Sequence, residues 1–172
     1  GPASMLQGAE GKRNGVAAAS GIEFEYVHAA LRFEDSSFPD IAARYKGNGT
    51  FLASRENLKK SLKLDLNKFD KRQSFARLST LNLHSAVTDA SWMNEVLAYR
   101  LFRDAGVPAP RTAYARVSLN VPGVHDNRYV GLYSLVENIA EDFASSRFHT
   151  ATGAIFKPVT PSLFRYIGDD RK

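Results

Sequence analysis

"RTAYARVSLNVPGVHDNRYVGLYSLVEN", residues 111–138, contains two extended runs joined by one turn, and it is the clearest indication of a β-sheet in the sequence. In the first run, small or apolar residues at 113, 115, 117 and 119 alternate with polar or aromatic ones. A period of two is typical of a strand with one buried face. The "PGVHDN" segment between the runs holds residue types that favour chain reversal. We therefore predict an antiparallel hairpin.

More extended segments are predicted on the N-terminal side of this hairpin. The alternation at 22, 24 and 26 and the run 30–33 predict a strand, followed by a loop "EDSSFPD" and a second strand "IAARYK". The "GNG" at 47–49 favours a hairpin turn with positive φ, after which Phe51 restarts the apolar pattern. Residues 60–69 alternate leucines with polar residues, and "TLNLHS" is a short extended segment.

One main helix is predicted between these strands and the hairpin. It runs from Trp92 to Asp104, with capping residues in "TDAS" before it and Gly106 and Pro108 to end it. A shorter helix is predicted around Glu141 to Phe148, and "GAIFKP" is expected to be extended. The predicted class is α+β, an antiparallel β-sheet with one main helix packed on it.

Composition favours one globular domain, since 44% of the 172 residues are hydrophobic and 24% are charged. No apolar run approaches the roughly 20 residues that would span a bilayer. The absence of cysteine excludes disulfides, thiolate metal sites and cysteine nucleophiles. We expect residues 1–20 to be a tag remnant, "GPASM", with a flexible segment behind it. Residues 21–172 are expected to form the folded part.

The net charge of +5 is concentrated in residues 55–72, where seven Lys or Arg stand against three acids. Such a stretch can attract the phosphates of a nucleotide, a nucleic acid or a lipid surface. The alternative is a solvated strand edge whose lysines prevent edge-to-edge association. Among these phosphate-bearing partners, a nucleic acid is less favoured.

Glu95 is the most informative single residue, because its helical neighbours three and four positions away are nearly all apolar. A carboxylate on a core-facing stripe costs several kcal/mol unless a cation or several donors meet it. A lysine on the sheet would serve as that partner. Alternatively, Glu95 lies at the margin of the stripe, where the helix dipole favours an acid.

The order of glycine turn, lysine strand and helix glutamate is typical of the N-terminal lobe of a protein kinase. In that layout the turn approaches phosphates, the lysine contacts them and the glutamate orients the lysine. Ser61 and Lys63 share one strand face, so Lys63 is the first candidate for the lysine, whereas Lys60 lies on the Leu62 face and is the second. The four histidines show no metal-ligand spacing and are interpreted as packing or surface residues. No G-x-S-x-G elbow supports a hydrolase.

Five blocks of the sequence resemble the CotH spore-coat kinase family, an atypical protein-kinase-like group. They are "RYKGNGTF", "KKSLKLDLNKF", "LNLHSAVTDASWMNEVLAYRLFRDAGVPAPRTAYARV", "GLYSLVENI" and "GAIFKP". The resemblance runs from about residue 22 to the end and implies a bacterial, exported or spore-associated enzyme. It implies phosphate transfer from ATP, with Mg²⁺, to serines of protein substrates.

The resemblance also implies site residues. Lys63 and Glu95 are the predicted catalytic residues; the predicted nucleotide-binding residues are Arg44, Lys46, Gly47, Asn48, Gly49, Thr50, Lys60, Ser61, Glu137 and Lys157. Metal ligands and the catalytic aspartate are expected in a C-terminal lobe, which we expect to be absent after "SLFRYIGDDRK". The fragment alone should then have little activity. The alternative is a non-catalytic module that binds nucleic acid through the basic strand, or a protein partner in surface adhesion.

Overall fold

Six strands and three helices are seen in the computed structural model, which describes residues 23–47, 49–54, 56–150, 152 and 155. The strands are β1 (Val27–Phe33), β2 (Ser36–Tyr45), β3 (Leu62–Asp65), β4 (Thr80–His84), β5 (Thr112–Val121) and β6 (His125–Glu137). The helices are α1 (Gly49–Ala53), α2 (Asn94–Asp104) and α3 (Glu141–Phe148). Residues 24–152 form one compact unit that contains all of these elements.

The strands form one sheet in the order β1-β2-β3-β4-β6-β5, and every neighbouring pair is antiparallel. The predicted α+β class with an antiparallel sheet is therefore confirmed. The predicted hairpin of residues 111–138 is also confirmed, since β5 and β6 pair from Thr112 opposite Val136 to Val121 opposite His125. Because β4 pairs with β6, β5 becomes an edge strand.

The core lies on one face of the central strands, as the leucine alternation predicts. Leu64 of β3 pairs with Leu81 of β4, and Leu62 pairs with Leu83, so these side chains share a face. The buried cluster consists of Phe38, Ile41, Leu64, Leu66, Leu81, Leu83 and Tyr133. The strand predicted over residues 60–69 is shorter than expected, because β3 ends at Asp65 and a turn follows.

The prediction that "EDSSFPD" forms a loop is wrong. The chain reverses at Glu34 and Asp35, and β2 begins at Ser36. Proline lowers the strand propensity of this stretch because it lacks a backbone donor. The strand accommodates Pro39 at a register shift, where residues 39 and 40 lie opposite residue 30 of β1.

The predicted hairpin at "GNG" is wrong as well. Beyond Gly47 the chain enters α1, so Phe51 lies in a helix rather than in a new strand. β2 pairs instead with β3, from Tyr45 opposite Leu62, and sixteen residues separate the two strands. Gly47 does have a positive φ of 108°, and a Cβ there would lie 2.5 Å from the Thr50 hydroxyl. Glycine is therefore required at 47 by conformation and by close approach.

The main helix forms where it was predicted, but it is less buried than expected. α2 spans Asn94–Asp104 and is followed by Gly106, with φ of 78°. It approaches β5, and the Tyr114 hydroxyl donates to the Trp92 carbonyl at 2.9 Å. No residue of α2 is buried, and Leu101 is 68% exposed. The prediction that the apolar residues around Glu95 face the core is thus wrong for the described part of the chain.

The predicted second helix is confirmed as α3 (Glu141–Phe148), which buries Phe143. The extended segment predicted at "GAIFKP" lies outside the described residues except for Ile155. Among the helices of the described part, none has the length and apolar character needed to cross a membrane.

Candidate functional site

A cleft of about 490 Å³ lies where the segment after β2, the end of β4 and the start of α2 meet. Its lining residues are Lys46, Gly47, Thr50, Ser61, His84, Ser85, Ala86, Val87, Thr88, Asp89, Asn94 and Glu95. The volume is in the range of small-molecule sites, which span about 300–1,000 Å³. Polar groups from four segments converge in it, so it is the candidate site of this chain.

Three charged or titratable side chains form a continuous chain in this cleft. The Lys46 Nζ lies 2.6 Å from the His84 Nε2, and the His84 Nδ1 lies 2.7 and 2.9 Å from the two Glu95 carboxylate oxygens. The His84 and Glu95 side chains are 24% and 31% exposed, so solvent screens them only in part. Glu95 therefore has a direct partner on the sheet, and that partner is a histidine.

Asn82 contacts the lysine at one end of this series of hydrogen bonds. It is buried, and its Oδ1 accepts a hydrogen bond from the Lys46 Nζ at 3.1 Å. Its amide nitrogen donates to the Asn138 Oδ1 at 3.3 Å. Because Asn82 and His84 are two residues apart on β4, both side chains lie on the face opposite the leucine core.

The floor between β3 and the loop after β4 is built from two serines. The Ser61 hydroxyl lies 3.1 Å from the Ser85 hydroxyl and accepts a hydrogen bond from the Ser85 N–H at 3.0 Å. The Lys46 N–H donates to the Ser61 carbonyl at 3.0 Å, which ties the segment after β2 to β3. Ser61 thus faces the cleft, as the strand alternation predicts.

The rim of the cleft is organised by Asp89. One of its oxygens accepts from the Ser91 hydroxyl at 2.6 Å, and the other accepts from the Asn94 N–H at 2.9 Å. The Ser91 hydroxyl, with backbone donors that include the Asn94 N–H, holds the pKa of the Asp89 carboxyl below its usual value. Asp89 therefore restrains the start of α2, as the predicted capping role of "TDAS" requires, although Met93 occupies the cap position itself.

Glu95 also affects a neighbour on its own helix. Tyr99 lies one turn further along α2, and burial, followed by the negative charge of Glu95, raises the pKa of its phenol. Both effects favour the neutral phenol. The position of Glu95 in the first turn also suits the helix dipole, which was the alternative interpretation of this residue.

The structure brings together five of the predicted site residues and separates others. Lys46, Gly47, Thr50, Ser61 and Glu95 line the cleft, whereas Arg44, Gly49, Lys60, Lys63 and Glu137 do not. Asn48 and Lys157 lie outside the described residues. The predicted roles of these residues stay predictions.

Lys63 lies on the expected face of β3 but makes no contact with Glu95. It is paired in register with Arg44 on one side and with Asn82 on the other. Arg44 in turn donates to the Tyr45 carbonyl at 2.9 Å and lies 5.1 Å from the centre of the Tyr26 ring. The glutamate contact predicted for Lys63 is therefore made by His84 instead.

Lys60 has a structural contact in the connection that leads to β3. Its ammonium donates to the Ser54 carbonyl at 2.7 Å and to the Asn57 carbonyl at 2.5 Å. Both acceptors lie just after α1, so Lys60 closes the turn that follows this helix. These contacts hold its side chain at the carbonyls of Ser54 and Asn57.

Glu137 is buried on the core face of the sheet, opposite Leu81. Its carboxylate accepts from the Arg111 N–H at 2.9 Å and from the Arg111 and Arg147 guanidinium groups at 3.1 Å. These bonds join the start of β5, the end of β6 and α3. The side chain of Glu137 thus points away from the face that carries Asn82.

The basic stretch of residues 55–72 does not form one surface in the described part of the chain. Lys59 lies 4.6 Å from the centre of the Trp92 ring and 5.4 Å from that of Tyr133, and burial lowers its pKa. Arg72 pairs with Asp70, and hydrogen bonds from Arg72 lower the pKa of this carboxyl to about 2. The positive charges of Lys59 and Arg72 are therefore engaged in separate local contacts.

Sequence reasoning missed the central residue, His84, which it placed among packing or surface histidines. The signal was present in "TLNLHS", where Asn82 and His84 alternate with the two leucines of β4. Two polar residues on one face of a central strand indicate a polar cavity above that face. Asn82 was missed for the same reason. Ser85 and Asp89 follow β4, where no alternation marks them, and Asp89 was predicted only as part of the capping segment.

Comparison with known proteins identifies the family. The family described as CotH kinase protein matches residues 43–171, which is most of the chain and includes every described cleft residue. The chain belongs to this family. No curated protein matches the chain.

Proposed function

We propose that the cleft binds the phosphates of ATP and that the protein is a kinase that transfers phosphate to serines of protein substrates. The observation that carries the proposal is the Lys46–His84–Glu95 chain inside a cleft next to the Gly47 turn. It resembles the lysine and glutamate of a protein-kinase N-terminal lobe, with a histidine inserted between them. Membership of the CotH kinase family supports the same proposal.

The groups present fit a polyphosphate. Lys46 supplies an ammonium, and Gly47 lines the cleft without a side chain, so a phosphate could reach its backbone. Hydroxyls of Thr50, Ser61 and Ser85 line the same cleft and can donate to phosphate oxygens. ATP, when bound, would supply the phosphoryl group.

Within the described ranges, no group of three His, Asp or Glu residues could hold a metal ion. The described residues therefore do not fit a complete Mg²⁺ site, and we assign no metal ligand among them. The catalytic aspartate and the metal ligands of the family are proposed to lie in a C-terminal lobe. In this proposal the described part binds and orients the nucleotide.

The proposal assigns the phosphate-contacting role to Lys46, because Lys46 is the lysine that is connected to Glu95. Lys63 stays the second candidate, since it lies on the same face of the sheet next to Asn82. Lys46 would neutralise phosphate charge, and Glu95 would keep the lysine in place through His84.

The experiment is a titration with Mg–ATP, followed by backbone amide chemical shifts. We expect millimolar affinity, because Lys46 is the one lysine among the described lining residues and these residues supply no complete metal site. Signals of Gly47, Thr50 and Ser85 should move, and Lys46→Met should abolish the movement. Lys71→Met is the matched control, because Lys71 is exposed and lies outside the cleft. If the shifts occur elsewhere, or survive Lys46→Met, the nucleotide proposal is wrong.

Protein binding is a second candidate function, and the exposed apolar side of α2 favours it. Met93, Leu97 and Leu101 follow one another at helical spacing of four and are 50%, 57% and 68% exposed. Binding of a partner protein that survives Lys63→Ala and Glu95→Ala, and is lost in Leu97→Ser, would support this function.

A further inference from the structure

We propose that His84 is the positioning residue that couples Glu95 to Lys46, and that it does so as a neutral imidazole with its proton on Nδ1. The proposal rests on the proposed function in one respect, the assignment of Lys46 to the phosphates. The coupling itself is a property of the protein without nucleotide. The two parts can therefore fail separately.

The proton is placed by the chemistry of the two partners. A lysine ammonium carries only donors, so the Nε2 that lies 2.6 Å from it must accept. A carboxylate only accepts, so the Nδ1 that lies 2.7 Å from Glu95 must donate. One neutral tautomer satisfies both ends. The other tautomer would bring N–H against ammonium and a lone pair against carboxylate.

The imidazole replaces a direct ion pair. Lys46 and Glu95 make no salt bridge with each other, although both contact His84. Each hydrogen bond involves a charged partner, and such bonds are stronger than those between neutral groups. In a partly shielded site, the carboxylate polarises the ring and makes Nε2 a better acceptor. Glu95 can thus strengthen the hold on Lys46 without neutralising its charge.

The backbone positions of the three residues are fixed independently. The Lys46 N–H bonds to the Ser61 carbonyl, and His84 pairs with Ser134 at the end of β4. Glu95 is in the first turn of α2, whose start is restrained by Asp89. The hydrogen-bonded chain therefore links the sheet to the helix at the rim of the cleft.

Acid should disrupt this coupling. The charged groups that contact the ring are Lys46, from the segment after β2, and Glu95, from α2. The neighbours of His84 across the sheet are uncharged, Ser61 on β3 and Ser134 on β6, and Asp89 faces the same cleft from the rim. A second proton on the ring would point an N–H at the lysine ammonium. Lys46 would then lose its acceptor and keep only Asn82 among the two partners on β4.

The first test concerns the protein without nucleotide. Long-range ¹H–¹⁵N spectra of the imidazoles should show His84 as the Nδ1–H tautomer at neutral pH. Lys46→Met should change the Nε2 signal, and Lys71→Met should leave it unchanged. An Nε2–H tautomer, or an imidazolium at neutral pH, would overturn the proposal.

The second test compares two substitutions of His84. In His84→Gln the amide can accept from Lys46 and donate to Glu95, whereas His84→Leu can do neither. We expect Mg–ATP affinity, measured from the Gly47 and Thr50 amide shifts, to fall about tenfold or more in His84→Leu and to be largely kept in His84→Gln. Urea midpoints of the two variants exclude a difference in folding as the cause. Equal affinities in wild type and His84→Leu would refute the positioning role.

The two parts of the proposal have different readouts. If the wild type binds no Mg–ATP, the proposed function fails, whereas the imidazole spectra of the protein without nucleotide still decide the coupling.

Discussion

The two faces of the central strands are built on different principles. On one face, Leu64, Leu81 and Leu83 pack against Tyr133 and form the dry core. On the other, Asn82 and His84 of the same strand hold Lys46 and Glu95 at the cleft. The core face depends on area removed from water, which is non-directional. The cleft face depends on hydrogen bonds between charged groups, whose geometry is directional.

Because the two faces differ in this way, substitutions on the core face should mainly affect stability, and substitutions on the cleft face should mainly affect binding. Truncation on the core face leaves a cavity and lowers the free energy of unfolding. Substitution on the cleft face removes a contact from a partly exposed network, so stability should change less than ligand affinity. Three substitutions test this division between the core face and the cleft face, in order of decreasing effect on stability at neutral pH.

Leu66→Ala should give the largest loss, because Leu66 is fully buried. We expect the free energy of unfolding, from urea denaturation, to fall by about 2–5 kcal/mol. The control is Leu101→Ala on the exposed side of α2, which should stay within about 0.5 kcal/mol. A comparable loss in both variants would mean that α2 contributes to a buried core. Stability would then not depend mainly on the core face of the sheet.

Glu137→Gln should have an intermediate effect. The carboxylate is 2% exposed and joins Arg111 to Arg147. Removing its charge weakens three hydrogen bonds, so we expect a loss of about 1–3 kcal/mol in urea denaturation. Glu141→Gln, on the exposed first turn of α3, is the matched control. Unchanged stability in Glu137→Gln, together with altered Mg–ATP shifts, would return Glu137 to the binding role predicted from the sequence.

Tyr133→Phe should have the smallest effect at neutral pH, because its contribution through the phenol proton should be confined to alkaline pH. Burial, followed by the charge of Tyr45, raises the pKa of Tyr133 to about 12. The unfolded chain releases this proton near pH 10, so the free energy of unfolding should fall as the pH rises from about 10 to about 12. The slope is at most about 1.4 kcal/mol per pH unit for one proton. Tyr133→Phe should lack this contribution, as urea midpoints across the range can show. Equal slopes in both proteins would contradict the raised pKa.

The core face could be predicted from the sequence, because a period of two in leucines depends only on local geometry. This pattern located β4, β5, β6 and the buried side of β3. The two wrong predictions, the loop "EDSSFPD" and the hairpin at "GNG", have local causes. Pro39 made a strand resemble a loop, although a register shift accommodates it, and Gly47 indicated a hairpin, although its positive φ leads into α1.

The cleft face could be predicted only in part. A sheet partner for Glu95 was predicted and the structure supplies one, although the apolar residues around Glu95 do not face the core as that prediction assumed. The identity of that partner depends on the register of β3 against β4 and on the path of the chain after β2. No local pattern determines either. Lys63 was therefore predicted as the partner of Glu95, with Lys60 as the second choice, and His84 was overlooked.

The most direct test of the account follows the His84 imidazole nitrogens and the Gly47 and Thr50 amides in one Mg–ATP titration. If the cleft binds phosphate through the Lys46–His84–Glu95 chain, these signals should follow a single binding curve. Lys46→Met should abolish all of the changes, whereas Lys71→Met should abolish none. Amide shifts that leave the imidazole signals unmoved, or shifts that persist in Lys46→Met, would contradict the account.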